Sequence, residues 1–232
     1  MTPTSFAKLL PRPLRRQLIH FECLIEDALH RFAGRLPDRA RVLDAGAGEG
    51  QYAAYFQRHR YFGVDLGIGD TKWNYGQLDA LADLTLLPFR DAVFDAAVNI
   101  VTLEHLKDPA LALREISRVL RSGGLLLLVV PHEWEVHQSP HDFFRYTRHG
   151  LDHLLSQAEF IDLQIAPAGG YFRLMSRRFL NGIQFFQGGR RWAMFPFAAA
   201  LLGVCALIAP CFESLDKDKN FTVGYICTAV RR

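Results

Sequence analysis

A glycine-rich turn directly after a short apolar run is the sequence feature that most constrains how this chain can fold. Residues 41–50 read RVLDAGAGEG, in which an apolar pair leads into Asp44 and then into three glycines at alternating positions, Gly46, Gly48 and Gly50. Glycine tolerates the positive φ angles of a sharp turn and leaves bare backbone for a ligand to approach. The pattern therefore predicts a buried parallel strand, a tight turn and a helix, which together form the nucleotide-binding corner of a doubly wound α/β sheet.

The spacing of the glycines separates two cofactor classes. A dinucleotide fingerprint has the pattern G-x-G-x-x-G, whereas here the third glycine comes one residue early and Gln51 takes the position of the expected glycine. The carboxylate of Asp44 is poorly suited to a site that cradles a pyrophosphate, and it suits a cationic or amino-acid-bearing ligand better. The residues therefore favour S-adenosylmethionine over NAD, with Asp44 near the ammonium group of that ligand.

Alternating and apolar runs predict the remaining elements. The run YFGVD at 61–65 ends in Asp65, and an acidic residue at the tip of the second strand is the expected partner of ribose hydroxyls. Further strands are predicted at 78–84, Phe94–Ile100, 125–130, Phe160–Pro167 and 221–230. Helices are predicted at 14–32, 51–60, 109–120 and 148–157.

Two long motifs together resemble a known family. DAGAGEG and LPFRDAVFDAAVNIVTLEHLKDPALALREISRVLRSGGLLLLVVP resemble the small-molecule class I S-adenosylmethionine-dependent methyltransferases over about residues 41–131. The resemblance implies a Rossmann-like sheet of seven mostly parallel strands, with helices on both faces and an antiparallel last strand. It also implies that Gly46, Gly48 and Gly50 approach the methionine part of the cofactor, that Asp83 accepts from the adenine amino group, and that the backbone of Leu84 contacts the ring.

Composition limits the class of protein further. A chain of 232 residues with 50% hydrophobic content is long enough for a single well-cored domain over 1–232, with residues 1–35 forming an arm and a first helix. The net charge of +3, without a dense basic run, argues against a nucleic-acid partner. The four cysteines are scattered without a C-x-x-C pair, which argues against a disulfide framework and favours a cytoplasmic protein.

An arginine-rich and hydrophobic stretch before the last strand departs from the minimal pattern of the family. We expect residues 171–215 to form a helical insert, in which 192–212 contains no charged side chain and is long enough to cross a bilayer. Pro196 and Pro210 interrupt this stretch, and the following strand has to return to the same sheet. Three interpretations stay open: a shallow or re-entrant membrane helix, which the nearby arginines favour, a buried or homodimer-forming helix, and a true span.

Histidines after the fourth and fifth strands are the candidates for the chemistry. Methyl transfer needs alignment, exclusion of water and, for a hydroxyl acceptor, a base, and histidine can accept a proton at neutral pH. His105, His137 and His141 are candidate catalytic residues, whereas His132 is interpreted as a strand-end residue. The alternatives stay open: the resemblance favours a scaffolding role at the cofactor site for His105, and His137 and His141 could instead form hydrogen bonds within their loop.

Two further expectations concern the loop that carries His137 and the presence of a metal. Asp142 and Arg145 are predicted to pair and hold this loop. No metal is expected, because no three-histidine or histidine–cysteine set occurs at metal-ligand spacing.

The sequence leads to one functional hypothesis and two rivals. We predict a cytoplasmic, membrane-associated methyltransferase that uses S-adenosylmethionine to methylate a small-molecule or lipid-linked acceptor, with O-methylation as the first hypothesis. The rivals are an NAD-dependent oxidoreductase and a catalytically silent scaffold that docks a membrane enzyme through its insert.

Overall fold

The computed structural model describes residues 11–69 and 73–232, so residues 1–10 of the predicted arm lie outside the described residues. The α-helices are α1 (Arg12–Leu18), α2 (His20–Arg35), α3 (Pro109–Val119), α4 (Arg148–Gln157), α5 (Tyr171–Gly182) and α6 (Phe195–Ile208). The strands are β1 (Arg41–Ala45), β2 (Arg60–Asp65), β3 (Ala80–Leu81), β4 (Phe94–Ile100), β5 (Leu120–Pro131), β6 (Phe160–Pro167) and β7 (Gly224–Arg231). Short 3₁₀ turns include Ala53–Phe56, Leu103–His105, Gly189–Met194 and Ala209–Leu215.

The chain divides into two compact units. The larger unit consists of Asp27–Ala166 and Tyr225–Arg232, and the smaller unit consists of Met1–Glu26 and Pro167–Gly224. The sheet lies in the larger unit, and the helical stretch predicted at 171–215 lies in the smaller one.

The seven strands form one sheet in the order β3-β2-β1-β4-β5-β7-β6. β1 pairs in parallel with both β2 and β4, so that Asp44 lies opposite Gly63 on one side and Val98 on the other. β7 enters between β5 and β6 and gives this end of the sheet its antiparallel pairing. The predicted Rossmann-like α/β fold is confirmed, and the change of strand order beside β1 brings the carboxyl ends of β1, β2 and β4 to one edge.

The central strands are apolar because the sheet is covered on both faces. In β5, Leu126, Leu128, Val129 and Val130 have no exposed surface. α3 presents an apolar side of buried residues, Ala112, Leu113, Ile116 and Val119. Asp108 caps this helix by accepting a hydrogen bond of 2.9 Å from the amide of Leu111, and Pro109 occupies its first turn.

The predicted helix at 51–60 is wrong. The chain forms instead a single 3₁₀ turn, Ala53–Phe56, in which Phe56 is the buried residue. Gly50 has a φ of 77°, and β2 already begins at Arg60, so few residues remain between the glycine turn and the next strand. A single buried side chain cannot supply the apolar face on which a longer helix would depend.

Other predicted elements differ in extent, among them one strand and one helix. The strand predicted at 78–84 shortens to Ala80–Leu81, because the chain turns at Asp83, which accepts hydrogen bonds from Thr85. The helix predicted at 14–32 is interrupted at Ile19, whose φ of −124° and ψ of 53° are not helical. Both differences lie at turns that local side-chain and backbone hydrogen bonds stabilise.

In the smaller unit, two carboxylates from the end of the insert cap the beginning of α5. Glu213 accepts hydrogen bonds from the amides of Gly170 and Arg173, and Asp216 accepts one of 2.7 Å from the amide of Tyr171. The first amides of a helix have no partner within the helix, and the helix dipole favours negative charge there. These contacts tie both ends of the insert together.

Leu126 and Leu86 provide a matched test of the core. Leu126 has no exposed surface in β5, whereas Leu86 is 77% exposed. Leu126→Ala should lower the free energy of unfolding by about 2–5 kcal/mol because it leaves a cavity, and Leu86→Ala should change it by less than about 0.5 kcal/mol. Denaturant unfolding of both variants measures the difference, and equal losses would contradict the assignment of β5 to the core.

Candidate active site

The glycine turn after β1 has the backbone conformation that the sequence predicts. Its φ angles are 94° at Gly46, 55° at Gly48 and 77° at Gly50. A side-chain carbon at Gly46 would lie 2.2 Å from the side chain of Thr102, and one at Gly48 would lie 3.4 Å from Trp73, whereas nothing lies within 4 Å at Gly50. Packing against Thr102 therefore requires glycine at the first position, and the third position leaves open space beside the backbone.

Asp44 is a fully buried carboxylate at the end of β1. Its Oδ2 accepts a hydrogen bond of 2.6 Å from the hydroxyl of Tyr61, and its Oδ1 has no hydrogen-bond partner within 11–69 and 73–232. The pKa of Asp44 is raised to about 7. Burial is the main cause and the nearby charge of Asp65 adds to it, whereas the hydrogen bond from Tyr61 acts in the opposite direction. A buried oxygen that lacks a partner favours a cationic group beside it.

Asp65, at the end of β2, holds the glycine turn against its own strand. Its Oδ2 accepts a hydrogen bond of 2.9 Å from the amide of Gly48, and its Oδ1 accepts one of 2.8 Å from the amide of Gly67. A carboxylate has about four acceptor positions, so both oxygens can accept further bonds from hydroxyl groups. Asp65 thus lies at the turn where the ribose is predicted, and its role toward ribose stays a prediction.

The residues predicted to contact adenine have different surroundings. Asp83 is exposed, and its Oδ1 accepts bonds of 2.8 Å from both the amide and the hydroxyl of Thr85. Leu84 is 3% exposed and its side chain belongs to the core. The ring of Trp73 borders the glycine turn and forms an edge contact with Tyr75, with 6.2 Å between ring centroids.

The residues around the turn fit S-adenosylmethionine. Asp44 offers an oxygen without a partner to an ammonium group, Gly50 leaves its backbone open, and Asp65 has acceptor capacity left for ribose. Asp44, Asp65 and the three glycines are thus brought together at one corner of the sheet, as the sequence predicts.

Glu104 brings two of the candidate histidines together. It lies in the 3₁₀ turn Leu103–His105 directly after β4 and has no exposed surface. Its Oε1 is 3.7 Å from Nε2 of His105 and 3.6 Å from Nε2 of His137, and the centroids of the two imidazole rings are 4.7 Å apart. We call Glu104, His105 and His137 the carboxylate–histidine centre.

The loop after β5 holds His137 in this centre. Asp142 accepts a hydrogen bond of 2.8 Å from the amide of His137 and pairs with both terminal nitrogens of Arg145, at 2.6 and 2.8 Å. The predicted Asp142–Arg145 pair is confirmed, and Arg145 lowers the pKa of Asp142 to about 2. The carboxylate of Glu104 raises the pKa of His137, against the effect of desolvation.

Backbone contacts fasten the same loop to the turn after β4. The carbonyl oxygen of Glu104 accepts hydrogen bonds from the amides of Phe143 and Phe144, and the hydroxyl of Tyr146 donates one of 2.9 Å to the carbonyl of Leu103. The centre is therefore built by two segments that are distant in the sequence.

The side chains of His141 and His132 do not belong to the carboxylate–histidine centre. His141 accepts a hydrogen bond from Nδ1 of His105 through its backbone carbonyl, and its ring packs near Phe143 at 6.5 Å. The ring of His132 lies 5.7 Å from that of Tyr225. The structure thus joins the side chains of His105 and His137 but leaves the side chain of His141 outside the centre.

Glu104 is the residue that the sequence reasoning missed. Its signal in the sequence is an acidic residue next to His105, just beyond the carboxyl end of a buried strand. Ligands bind at that edge in open α/β sheets, so an acid placed there is a candidate site residue in its own right.

The buried carboxylate of Asp44 predicts a pH dependence of cofactor binding. Because its pKa is raised to about 7, the carboxyl group is protonated at lower pH, and an ammonium group beside it favours release of that proton. The affinity for S-adenosylmethionine should therefore rise between about pH 6 and about pH 8. Calorimetry across this range should show the rise in wild type and not in Asp44→Asn, and parallel profiles would contradict the assignment.

The same raised pKa has a consequence for stability. The folded state binds this proton more tightly than the unfolded chain, so its contribution to stability is present at low pH and is lost as the pH rises through about 7. Without the cofactor, Asp44→Asn should consequently unfold at a higher temperature than wild type above that pH, which thermal melting of the two proteins measures.

Comparison with known proteins assigns this chain to a family. A family model described as a methyltransferase domain matches residues 15–183. The "Probable S-adenosylmethionine-dependent methyltransferase Rv3030" of Mycobacterium tuberculosis is 30% identical over 209 residues, which cover 82% of this chain and 76% of the relative. The malonyl-[acyl-carrier protein] O-methyltransferase of Erwinia pyrifoliae is 31% identical over 93 residues, or 38% of this chain and 36% of the relative.

A solved structure shows the same fold. The phosphoethanolamine N-methyltransferase 2 of Haemonchus contortus, in complex with phosphomonomethylethanolamine and S-adenosylhomocysteine, superimposes with a TM-score of 0.54 at 16% identity. The match covers 88% of this chain and 52% of that protein. These similarities favour the methyltransferase hypothesis over the NAD-dependent oxidoreductase. The chain therefore belongs to the class I S-adenosylmethionine-dependent methyltransferases.

Proposed function

We propose that this methyltransferase methylates a hydroxyl oxygen of a small-molecule or lipid-linked acceptor at a membrane surface. The observation that carries the reaction type is the carboxylate–histidine centre after β4. Thr102, two positions before Glu104, donates a hydrogen bond of 3.2 Å to the carbonyl of Gly46, so the centre adjoins the cofactor turn. A hydroxyl group becomes a good nucleophile when it loses its proton, and a buried carboxylate with two imidazoles favours that loss.

The chain supplies position and charge, and the cofactor supplies the methyl group. S-adenosylmethionine carries a methyl group on a sulfonium, so transfer forms a C–O bond, breaks a C–S bond and leaves the electron pair on sulfur. Glu104 provides the negative charge of the centre, and it raises the pKa of His137, which increases the affinity of that imidazole for a proton. Asp142 holds the backbone of His137, which keeps the imidazole beside Glu104.

Two of the similar proteins have names that agree with this class of acceptor, and neither fixes the compound for this chain. The Erwinia pyrifoliae relative is named an O-methyltransferase for a carrier-linked malonyl group, and the Haemonchus contortus protein is named a phosphoethanolamine N-methyltransferase. Both names describe small groups rather than long polymers. The base-rich centre of this chain is what favours oxygen over nitrogen as the acceptor atom.

The reaction type is tested with S-adenosylmethionine labelled on its methyl group, a membrane lipid extract and the purified protein. Wild type should label an extract component on oxygen, and Glu104→Gln should lower the rate by about 10²-fold or more, since it removes the charge of the centre. The control Glu159→Gln changes an exposed residue and should keep the wild-type rate. A label on nitrogen would contradict O-methylation, and cofactor binding without any labelled product would support the silent scaffold instead.

The proposed membrane contact rests on the segment Gly189–Leu215 of the smaller unit. By length and composition this segment could cross a membrane, and 17% of its most apolar part is buried. Its exposed apolar side chains are Trp192, Met194, Phe197, Leu201, Val204, Leu207, Ile208, Phe212 and Leu215. Exposed apolar surface of this extent is typical of a site that contacts lipid or another protein.

The topology of the sheet favours a surface contact over a span. β6 and β7 flank the insert in the sequence and are neighbours in one sheet, so both ends of the insert lie on the same side of any membrane. Length does not decide between the two, because the helical segment Gly189–Leu215 has 27 residues and could cross a bilayer. Arg190 and Arg191 are exposed just before it and suit anionic headgroups.

Paired substitutions on α6 test the membrane contact. Leu201 and Val204 are 51% and 53% exposed, and replacing both with aspartate should weaken binding to vesicles that contain phosphatidylglycerol by about tenfold or more. The control Val136→Asp changes a residue of the larger unit that is 77% exposed and should bind as wild type. A wild-type protein that stays apart from the vesicles and forms a dimer that the double variant loses would support the homodimer interpretation.

A further inference from the structure

The carboxylate of Glu104 is buried without a hydrogen-bond partner in the described part of the chain. Glu104 has no exposed surface, and neither Oε1 nor Oε2 has a hydrogen-bond partner in the described part of the chain. A buried carboxylate is costly unless it is paired with a cation, protonated or bound to a metal. The fold nevertheless holds this residue firmly, because its backbone carbonyl accepts bonds from Phe143 and Phe144.

Both imidazoles of the centre are oriented by carbonyl groups behind them. Nδ1 of His105 faces the carbonyl of His141, and Nδ1 of His137 lies 3.1 Å from the carbonyl of Glu135. A carbonyl only accepts, so each Nδ1 has to carry a proton, and each neutral ring then presents a lone pair at Nε2. Both Nε2 atoms are buried and lack a hydrogen-bond partner among the described residues. A carbonyl that fixes the tautomer in this way is the usual second partner of a metal-binding histidine.

The three side chains thus direct acceptor atoms at one point. The separations of 3.6 and 3.7 Å between Oε1 and the two Nε2 atoms exceed a hydrogen bond of about 2.7–3.2 Å. They are close to the separation of about 3.4 Å between ligand atoms that surround a tetrahedral ion at about 2.1 Å. One ligand atom from each residue lies within 4.8 Å of the other two. Acceptor atoms that converge at one point without a hydrogen bond between them favour a cation at that point.

We propose that Glu104, His105 and His137 bind a divalent first-row transition-metal ion of the Zn²⁺ type. Two imidazole nitrogens and one carboxylate oxygen suit such an ion and leave a coordination position open for an oxygen of the acceptor. This inference rests on the proposed function for the role of the ion, but not for its binding. It departs from the sequence-based expectation of no metal, because His137 approaches the adjacent residues Glu104 and His105 only when the chain is folded.

The bound ion would activate the acceptor hydroxyl as a Lewis acid. Coordination would lower the pKa of the acceptor hydroxyl and so favour passage of its proton to solvent water. The oxygen would then form the C–O bond to the transferred methyl group while the C–S bond breaks and the electron pair remains on the sulfur.

Metal binding can be measured without any acceptor. The full chain, treated with a chelator and desalted, should bind one Zn²⁺ by calorimetry and one Co²⁺ with the visible absorption of a site with fewer than six ligands. Glu104→Gln and His137→Asn should each lower the affinity by about tenfold or more, since each removes one of three ligands. His153→Asn, on the exposed side of α4, should bind as wild type. Melting curves of the variants verify folding.

The outcomes separate this proposal from the proposed function. No 1:1 binding, or equal binding by the Glu104 and His137 variants, would overturn the metal site. Methyl transfer to oxygen that continues at full rate in excess chelator would overturn the Lewis-acid role of the ion, and it would leave O-methylation intact with His137 as the base. A bound ion in a protein that methylates nitrogen would keep the metal site and reject O-methylation.

Discussion

Two carboxylates are buried where neighbouring parallel strands end, and the architecture of the site depends on how their charge is accommodated. Asp44 follows the apolar part of β1, and Glu104 follows β4, which pairs with β1 in the centre of the sheet. Neither has exposed surface, and each has at least one oxygen without a hydrogen-bond partner in the described chain. Burial of this kind is unfavourable for the protein alone and favours ligands that bring positive charge.

The two carboxylates are positioned by different means, which suits different tasks. Asp44 is held by the sheet and by the hydroxyl of Tyr61, so it forms a rigid wall of the cofactor corner. Glu104 lies in a turn that the loop after β5 fastens through backbone bonds, and the Asp142–Arg145 pair stiffens that loop. In our proposal, the cofactor common to the family contacts the sheet, whereas the acceptor contacts a loop, the part of such folds in which specificity varies.

The insert adds a second kind of constraint. Its apolar side chains are exposed, yet its two ends are tied together by Glu213 and Asp216, and the strands on either side pair within one sheet. A segment whose two ends lie together can present an apolar face to a membrane while both ends stay on the same side of that membrane. That property distinguishes a surface anchor from a spanning helix, although both have the same composition.

The sequence by itself determined the elements whose formation follows local rules. The glycine turn, the apolar runs of β4 and β5, and the start of α4 near Arg148 could be predicted, because φ preference, apolar patterning and helix capping depend on neighbouring residues. The helix predicted at 51–60 failed, since helix formation in that stretch needed a buried face that one residue, Phe56, cannot supply. Only the tertiary structure decided that Glu104, His105 and His137 converge, because their approach depends on the order of strands and on a loop folded back over the turn after β4. Burial of the two carboxylates is likewise a property of the assembled sheet, and the chemistry of the site follows from it.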